Sequence, residues 1–452
     1  MARTPMLQAI VDADENRAGA LISHPMQVDA RALIVDMLSA LPTARTPTEL
    51  FEFQHWLLSR SLAVSEAASQ FRRGQVRAGR GRSAPVPSGW TPVREPADAD
   101  DWLFELTVAD RLARQLRCVG DALAWKVFRC DRNVITALAS NAAPGPIALK
   151  SGLEAEWGHA LADLRERGEF ALLHDLTNVL RISDMTVFTA EGPRLRESKS
   201  SAGGAASSHA IRQRRRAEQA IGALSGGPLP SSTDTVRYLQ ASPVQLRTHI
   251  PTLARLADEA ARSGFAVGSL PHGLVVSVFD MWVGAQLPNP VGILATREAA
   301  LSRIKIRRGP PGKHELTARL VDLAARDPHL APVSVYPLSA DGRAGLICDD
   351  VLVIIEQTLD PLAQLLEQQG LVVDVLLRNA SGNLDAPTLR VRLAGESRAL
   401  VVHGRILAQK LIELVDPATW AKAVAALVRG PVVADDLVVV YANERGVWGR
   451  SI

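Results

Sequence analysis

Arg181-Ile-Ser-Asp184-Met-Thr-Val-Phe-Thr-Ala-Glu-Gly-Pro-Arg-Leu-Arg-Glu197-Ser-Lys199-Ser-Ser201 reads as two short strands joined by a tight turn. Met185–Thr189 and Arg194–Ser198 are the β-prone runs, and Ala190-Glu-Gly-Pro193 between them carries the turn residues. The hairpin brings Asp184 and Glu197 to neighbouring strand ends. Glu197 and Lys199 stand two apart, so they share one face of a strand. Hydrolysis of a phosphodiester at neutral pH needs an activated water and positive charge on the phosphate. A magnesium ion supplies both and takes a few hard oxygen ligands, with water filling the rest of its octahedron. Asp184 and Glu197 are ligands of that kind, and Lys199 beside them can orient the water and stabilise developing negative charge. Taken alone, the triplet has a plainer reading: a surface hairpin in which Glu197 and Lys199 form a solvated ion pair.

The neighbouring segments give the hairpin a context. Upstream, Leu153, Trp157, Leu161 and Leu164 mark one face of a helix ending near Gly168, with Glu154 and Glu156 in its first turns. Phe170–His174 and Asn178–Ile182 are predicted as short strands around a turn that holds His174 and Asp175. These two are secondary candidates for metal or proton work, their plainer reading being a strand-end cap. Downstream, a small-residue loop over residues 200–208 leads into a basic helix predicted for His209–Leu224. Arg212, Arg214, Arg215 and Arg216 cluster there with Gln213 and Gln219. Arginine forks suit phosphate oxygens, although an exposed helix face paired with acids would carry the same residues.

Over roughly residues 150–225 this order of elements resembles the PD-(D/E)xK nuclease superfamily, the restriction-endonuclease-like fold. A helix with a glutamate comes first, then an aspartate at a strand start, then E-x-K at a strand end, then a helix with Gln and Arg. The resemblance implies a central mixed sheet flanked by helices. It makes Asp184 and Glu197 the metal ligands, with the carbonyl of Ser198 as a further one. Lys199 becomes the catalytic lysine, Glu156 the helical acid in preference to Glu154, and Arg212, Gln213, Arg214, Arg215 and Arg216 nucleic-acid contacts. The implied cofactor is Mg2+, with Mn2+ as a substitute. The implied activity is hydrolysis of nucleic acid, DNA before RNA, in bacterial genome defence or repair, acting as a homodimer or with a partner defence protein. The rival expectation is an inactive nuclease-like module that binds nucleic acid or a partner protein. Ser183 stands where the commonest family pattern has proline.

The remainder bounds this reading. At 452 residues the chain exceeds one ordinary core. The expected organisation is α/β overall: a helical N-terminal region with a linker over residues 1–99, a nuclease-like domain over 100–225, and a separate α/β region over 234–452. Thr46-Pro-Thr-Glu49 is a helix start ahead of an apolar-periodic run. Gly74–Ala99, rich in Gly and Pro and carrying Arg77, Arg80 and Arg82, reads as a flexible connector. Farther on, Pro251–Ser263 and His314–Ala325 are predicted as helices, and Leu274–Phe279, Leu346–Ile355, Leu371–Leu377, Thr388–Leu393 and Leu437–Tyr441 as strands. The formal net charge is only +3, so any nucleic-acid surface is local rather than global. Three scattered cysteines give neither zinc-finger spacing nor a disulfide framework, which fits a reducing cytoplasm. A signal peptide and an apolar membrane span are not expected. Gly309-Pro-Pro-Gly-Lys313 lacks the spacing of a phosphate-binding loop, and neither H-E-x-x-H nor G-x-S-x-G occurs.

Overall fold

The computed structural model describes residues 21, 23–139, 145–150, 152–197, 236–241, 244–281, 283, 315–319, 333–376, 388–397, 399–402, 404–430 and 437–442. The chain divides into two compact units. One comprises Met1–Ala124, Ser140–Ile211 and Ile347–Asp349, and the other the rest.

In the first unit, helices α1 (Pro25–Ala40), α2 (Pro47–Ala78), α3 (Ala99–Val127, in this unit as far as Ala124) and α4 (Leu153–Arg167) accompany a three-stranded antiparallel sheet of β1 (Phe170–Leu173), β2 (Met185–Thr189) and β3 (Gly192–Arg196) in the order β1-β2-β3. Helix α2 opens as its sequence dictates. Glu49 donates its backbone N–H to the Thr46 hydroxyl at 3.2 Å, and the Glu49 carboxylate accepts from the Thr46 N–H at 2.9 Å. Helix α4 ends at Gly168, whose φ of +66° is the left-handed cap that glycine adopts without strain.

The organisation differs from the expected one in three places. First, the N-terminal helices belong to the same unit as the sheet, so residue 99 is not a division in the packing. Gln54 of α2, wholly buried, donates to the carbonyl of Ala171 and accepts from the N–H of Leu173, both at 2.9 Å. These two backbone groups face the outer edge of β1, and the Gln54 amide completes their pairing as a further strand would. Gln54→Leu leaves both groups buried and unpaired, and is expected to destabilise the protein by about 2–4 kcal/mol in chemical denaturation. A loss under about 0.5 kcal/mol would mean that the edge finds other partners.

Second, the Gly/Pro-rich segment is no free connector. Helix α2 continues to Ala78, and Gly74 lies inside it because an added Cβ would sit 2.3 Å from the ring of Trp102. Trp90 folds back into a core with Phe71, Trp102 and Leu106, and its indole N–H donates to buried Glu105 at 2.6 Å. Third, Asn178–Ile182 is not a strand. Asp121 of α3 accepts from the N–H groups of Asn178 (2.6 Å) and Val179 (3.0 Å) and from the Asn178 side chain (2.9 Å), so this backbone is satisfied by a side chain instead of a ladder. Burial pushes the Asp121 carboxyl up to about 6 against the pull of these donors. Among the described residues the sheet beside it is antiparallel, where a mixed sheet was expected.

In the second unit, β5 (Phe265–Leu270), β6 (Leu274–Asp280), β7 (Glu315–Arg319) and β8 (Val351–Thr358) form an antiparallel sheet in the order β5-β6-β8-β7; β4 (Val236–Ala241) pairs in parallel with β12 (Leu437–Ala442). A third, antiparallel sheet joins β9 (Leu371–Leu376), β10 (Thr388–Leu393) and β11 (Leu400–Val402). Residues 315–319, expected in a helix, are the edge strand β7. Their pairing with β8 from Glu315–Thr358 to Arg319–Ile354 overrides local helix propensity. Residues 346–350, expected in a strand, divide between the helix Ala340–Ile347 and a turn before β8. Among the described residues no helix is long and apolar enough to cross a membrane.

Candidate metal and phosphodiester site

The hairpin register carries the site. Met185 opposes Arg196 as the last pair of the β2–β3 ladder, so Asp184 and Glu197 leave their strands at the same end. His174 follows β1 at that end, and its N–H donates to the Asp184 carbonyl at 2.9 Å. Just before Asp184 the backbone turns through Ser183 at φ +72°, a left-handed conformation that strains a non-glycine residue by roughly 1–2 kcal/mol. The Ser183 hydroxyl donates to the carbonyl of Arg196 at 2.7 Å and ties the turn across the hairpin. Proline, fixed near φ −65°, cannot occupy this conformation.

Three carboxylates meet here on one ammonium. Lys150 Nζ lies 2.5 Å from Asp175 Oδ2, 2.6 Å from Glu156 Oε1 and 3.3 Å from Asp184 Oδ1. Glu156 comes from the first turn of α4 and is only 1% exposed, whereas Glu154 is exposed. The helical wheel leaves these two glutamates equivalent; packing separates them. Asp175 comes from the short 3-10 turn after β1, and Lys150 from the segment just ahead of α4. Burial pushes the Glu156 carboxyl up to about 7, against the Lys150 ammonium and with help from the negative charge of Asp184 and Asp175. Burial opposes the charge on Lys150, but hydrogen bonds to Asp175 and Glu156 and the fields of Asp175 and Asp184 outweigh it and raise its pKa.

His174 plays a different part from its neighbour. Its ring is 1% exposed, with Nε2 2.7 Å from the Thr186 hydroxyl, and burial drives its pKa down to about 4. It is a neutral packing group beneath the sheet. Arg196 points back to α4 and pairs with wholly buried Asp163 at 2.6 Å, which clamps β3 against the helix that bears Glu156.

Lys150 is in direct contact with three carboxylates, Arg117 donates to the Asp175 carbonyl at 3.4 Å, and the charge of Asp175 acts on both Arg117 and Arg181. Glu197 leaves β3 at the same end of the sheet. Oε2 of Glu156 and Oε1 of Glu197 are buried oxygens without a hydrogen-bond partner among the described residues. Carboxylate oxygens of this kind are the donor type that a hard divalent cation takes. Among the described residues, however, no group of three or more His, Cys, Asp or Glu side chains is placed to hold a metal ion.

The structure thus gathers Glu156 and Asp184, with Glu197 at the same strand ends, and adds Asp175, a secondary candidate from sequence, and Lys150, which no motif singled out. Ser198 and Lys199 lie outside the described residues, as do Arg212, Gln213, Arg214, Arg215 and Arg216. No protein-family model, no curated protein and no solved structure matches this chain.

Proposed function

We propose that the protein is a divalent-cation-dependent phosphodiesterase that hydrolyses nucleic acid, DNA being the expected substrate. The observation that carries this reading is the convergence of Glu156, Asp175 and Asp184 on a single cation at the sheet end where Glu197 also emerges. Asp184 and Glu197, with the carbonyl of Ser198, are the groups that would hold Mg2+ or Mn2+. The bound cation would supply Lewis acidity and a water of lowered pKa. Glu156, raised toward neutrality, is suited to take a proton from that water or to pass one on. Lys199, three residues beyond the end of β3 in the sequence, would meet the developing charge on the phosphate. Phosphate contacts are assigned to the arginines at 212 and 214–216, and a role in genome defence follows only from the likeness of motif order.

One observation favours a second reading. An ammonium already stands among the acids, and a module with a permanently filled centre would bind nucleic acid or a partner protein without cutting. Incubation of supercoiled plasmid with the purified protein separates the two. The proposal expects nicked or linear product with Mg2+ and none with EDTA, and loss of cutting with retained DNA binding in Lys199→Ala. Intact substrate across double-stranded DNA, single-stranded DNA and RNA would leave the non-catalytic module.

A further inference from the structure

Away from the acids, the β2–β3 hairpin and the end of α4 enclose a basic cleft. Arg194 and Arg196 stand two apart on β3, so both project from one face of the sheet, about 6.8 Å apart along the strand and beside Val187 of β2. Arg167 and Glu169, at the end of α4 and just past it, complete a cleft of about 300 Å3, which is at the lower end of the volumes that take small ligands. Its lining sets three guanidinium groups against one carboxylate. The three are held to different degrees. Arg167 and Arg196 are anchored on wholly buried Asp163 and keep their place beside the cleft. Among the described residues Arg194, 63% exposed, pairs with Glu191 alone, itself 78% exposed. An exposed pair of this kind contributes little and is screened by salt, so an incoming anion displaces it readily.

We infer that this cleft binds the phosphate backbone of a single nucleic-acid strand, with Arg194 and Arg167 as its contacts and Arg196 as the fixed base between them. The inference rests on the reading of the protein as one that binds nucleic acid, whether or not it cuts, and needs no metal ion. Guanidinium forks match phosphate oxygens, and a basic groove that follows the backbone is how single strands are held without regard to sequence. A cleft of this size between a helix end and a hairpin admits one backbone, not two paired strands. Its place in the fold gives it a purpose. Glu156, Ala160, Asp163 and Arg167 recur at helical spacing along one face of α4. The cleft and the acid cluster around Lys150 therefore lie at opposite ends of that face, about 16 Å apart at 1.5 Å per residue. A strand anchored at the arginines extends along the hairpin toward the end where Asp184 and Glu197 emerge. Glu169, 3.2 Å from Arg167 Nε, is the acid that competes with the phosphate for this site.

Two measurements on the full chain test this, both in EDTA so that no cutting intervenes. In fluorescence anisotropy with a labelled oligothymidylate and its RNA counterpart, Arg194→Gln should bind about fivefold more weakly than the wild type, with a salt slope lower by about one. Glu169→Gln should bind several-fold more tightly, because the competing acid is gone. In the wild type, phenylglyoxal labelling read by mass spectrometry should modify Arg194 in the free protein and spare it when the oligonucleotide is bound. The labelling arm needs no variant, so it stands even if a substitution disturbs folding. Affinity and salt slope unchanged in Arg194→Gln, or Arg194 labelled equally with and without bound oligonucleotide, overturns the cleft while leaving nucleic-acid binding elsewhere on the protein in place. Protection of Arg194 by duplex DNA and not by either single strand overturns the single-strand assignment. Absence of binding to both oligonucleotides by the wild type overturns the cleft and the nucleic-acid reading together.

Discussion

Asp184→Asn is expected to lower Mg2+-dependent cleavage on the order of a thousandfold, about 4 kcal/mol of transition-state stabilisation. The substitution keeps the shape of the side chain and an oxygen that can accept from Lys150, but removes the negative charge that a hard cation requires. The backbone around it should survive, because the Asp184 carbonyl, not its carboxylate, receives the N–H of His174. The thermal unfolding midpoint should accordingly move little while turnover collapses. Glu156→Gln is expected to act in the same direction and also to shift the pH profile, since the group it removes has a pKa near neutrality. Cleavage by Asp184→Asn at the wild-type rate would remove Asp184 from the cation site.

Gly120→Ala is expected to be the most damaging single methyl in the first unit. Alanine in place of glycine ordinarily stabilises a helix interior by roughly 1 kcal/mol. Here the added Cβ would stand 1.8 Å from the carbonyl oxygen of Leu176 and 2.7 Å from its carbon. Both atoms are backbone, so no rotamer change relieves the collision, and α3 must separate from the turn that follows β1. That turn carries Asp175 and is anchored by Asp121 one residue beyond the glycine. The expected loss is about 3 kcal/mol or more, with metal affinity reduced as Asp175 moves. Urea denaturation reads the effect; a variant within about 1 kcal/mol of the wild type would show that helix and turn are not in the close contact described.

Some of this architecture was legible in the residues because its causes are local. The capping box at Thr46 and Glu49, the left-handed cap at Gly168 and the strand Met185–Thr189 depend on short-range chemistry, and they occur where the sequence puts them. The hairpin period likewise placed Asp184 and Glu197 at one end. What the residues did not disclose depends on distant partners. Asn178–Ile182 looked β-prone until Asp121, 57 residues earlier, took its N–H groups. Gly74 looked like a helix breaker until Trp102 required its bare Cα. Residues 315–319 looked helical until β8 paired with them. In the site itself, Lys150 carries no motif; only the fold brings its ammonium to Asp175 and Asp184, 25 and 34 residues away. Glu156 was separable from Glu154 only by burial, which a helical wheel with both at the border of the apolar face does not determine.

The central claim is that these acids hold one divalent cation, and the most direct test locates it. Crystals soaked in Mn2+ and measured at the manganese absorption edge should show an anomalous peak beside the carboxylate oxygens of Asp184 and Glu197. A saturating soak with no anomalous peak at Asp184 or Glu197 would contradict it.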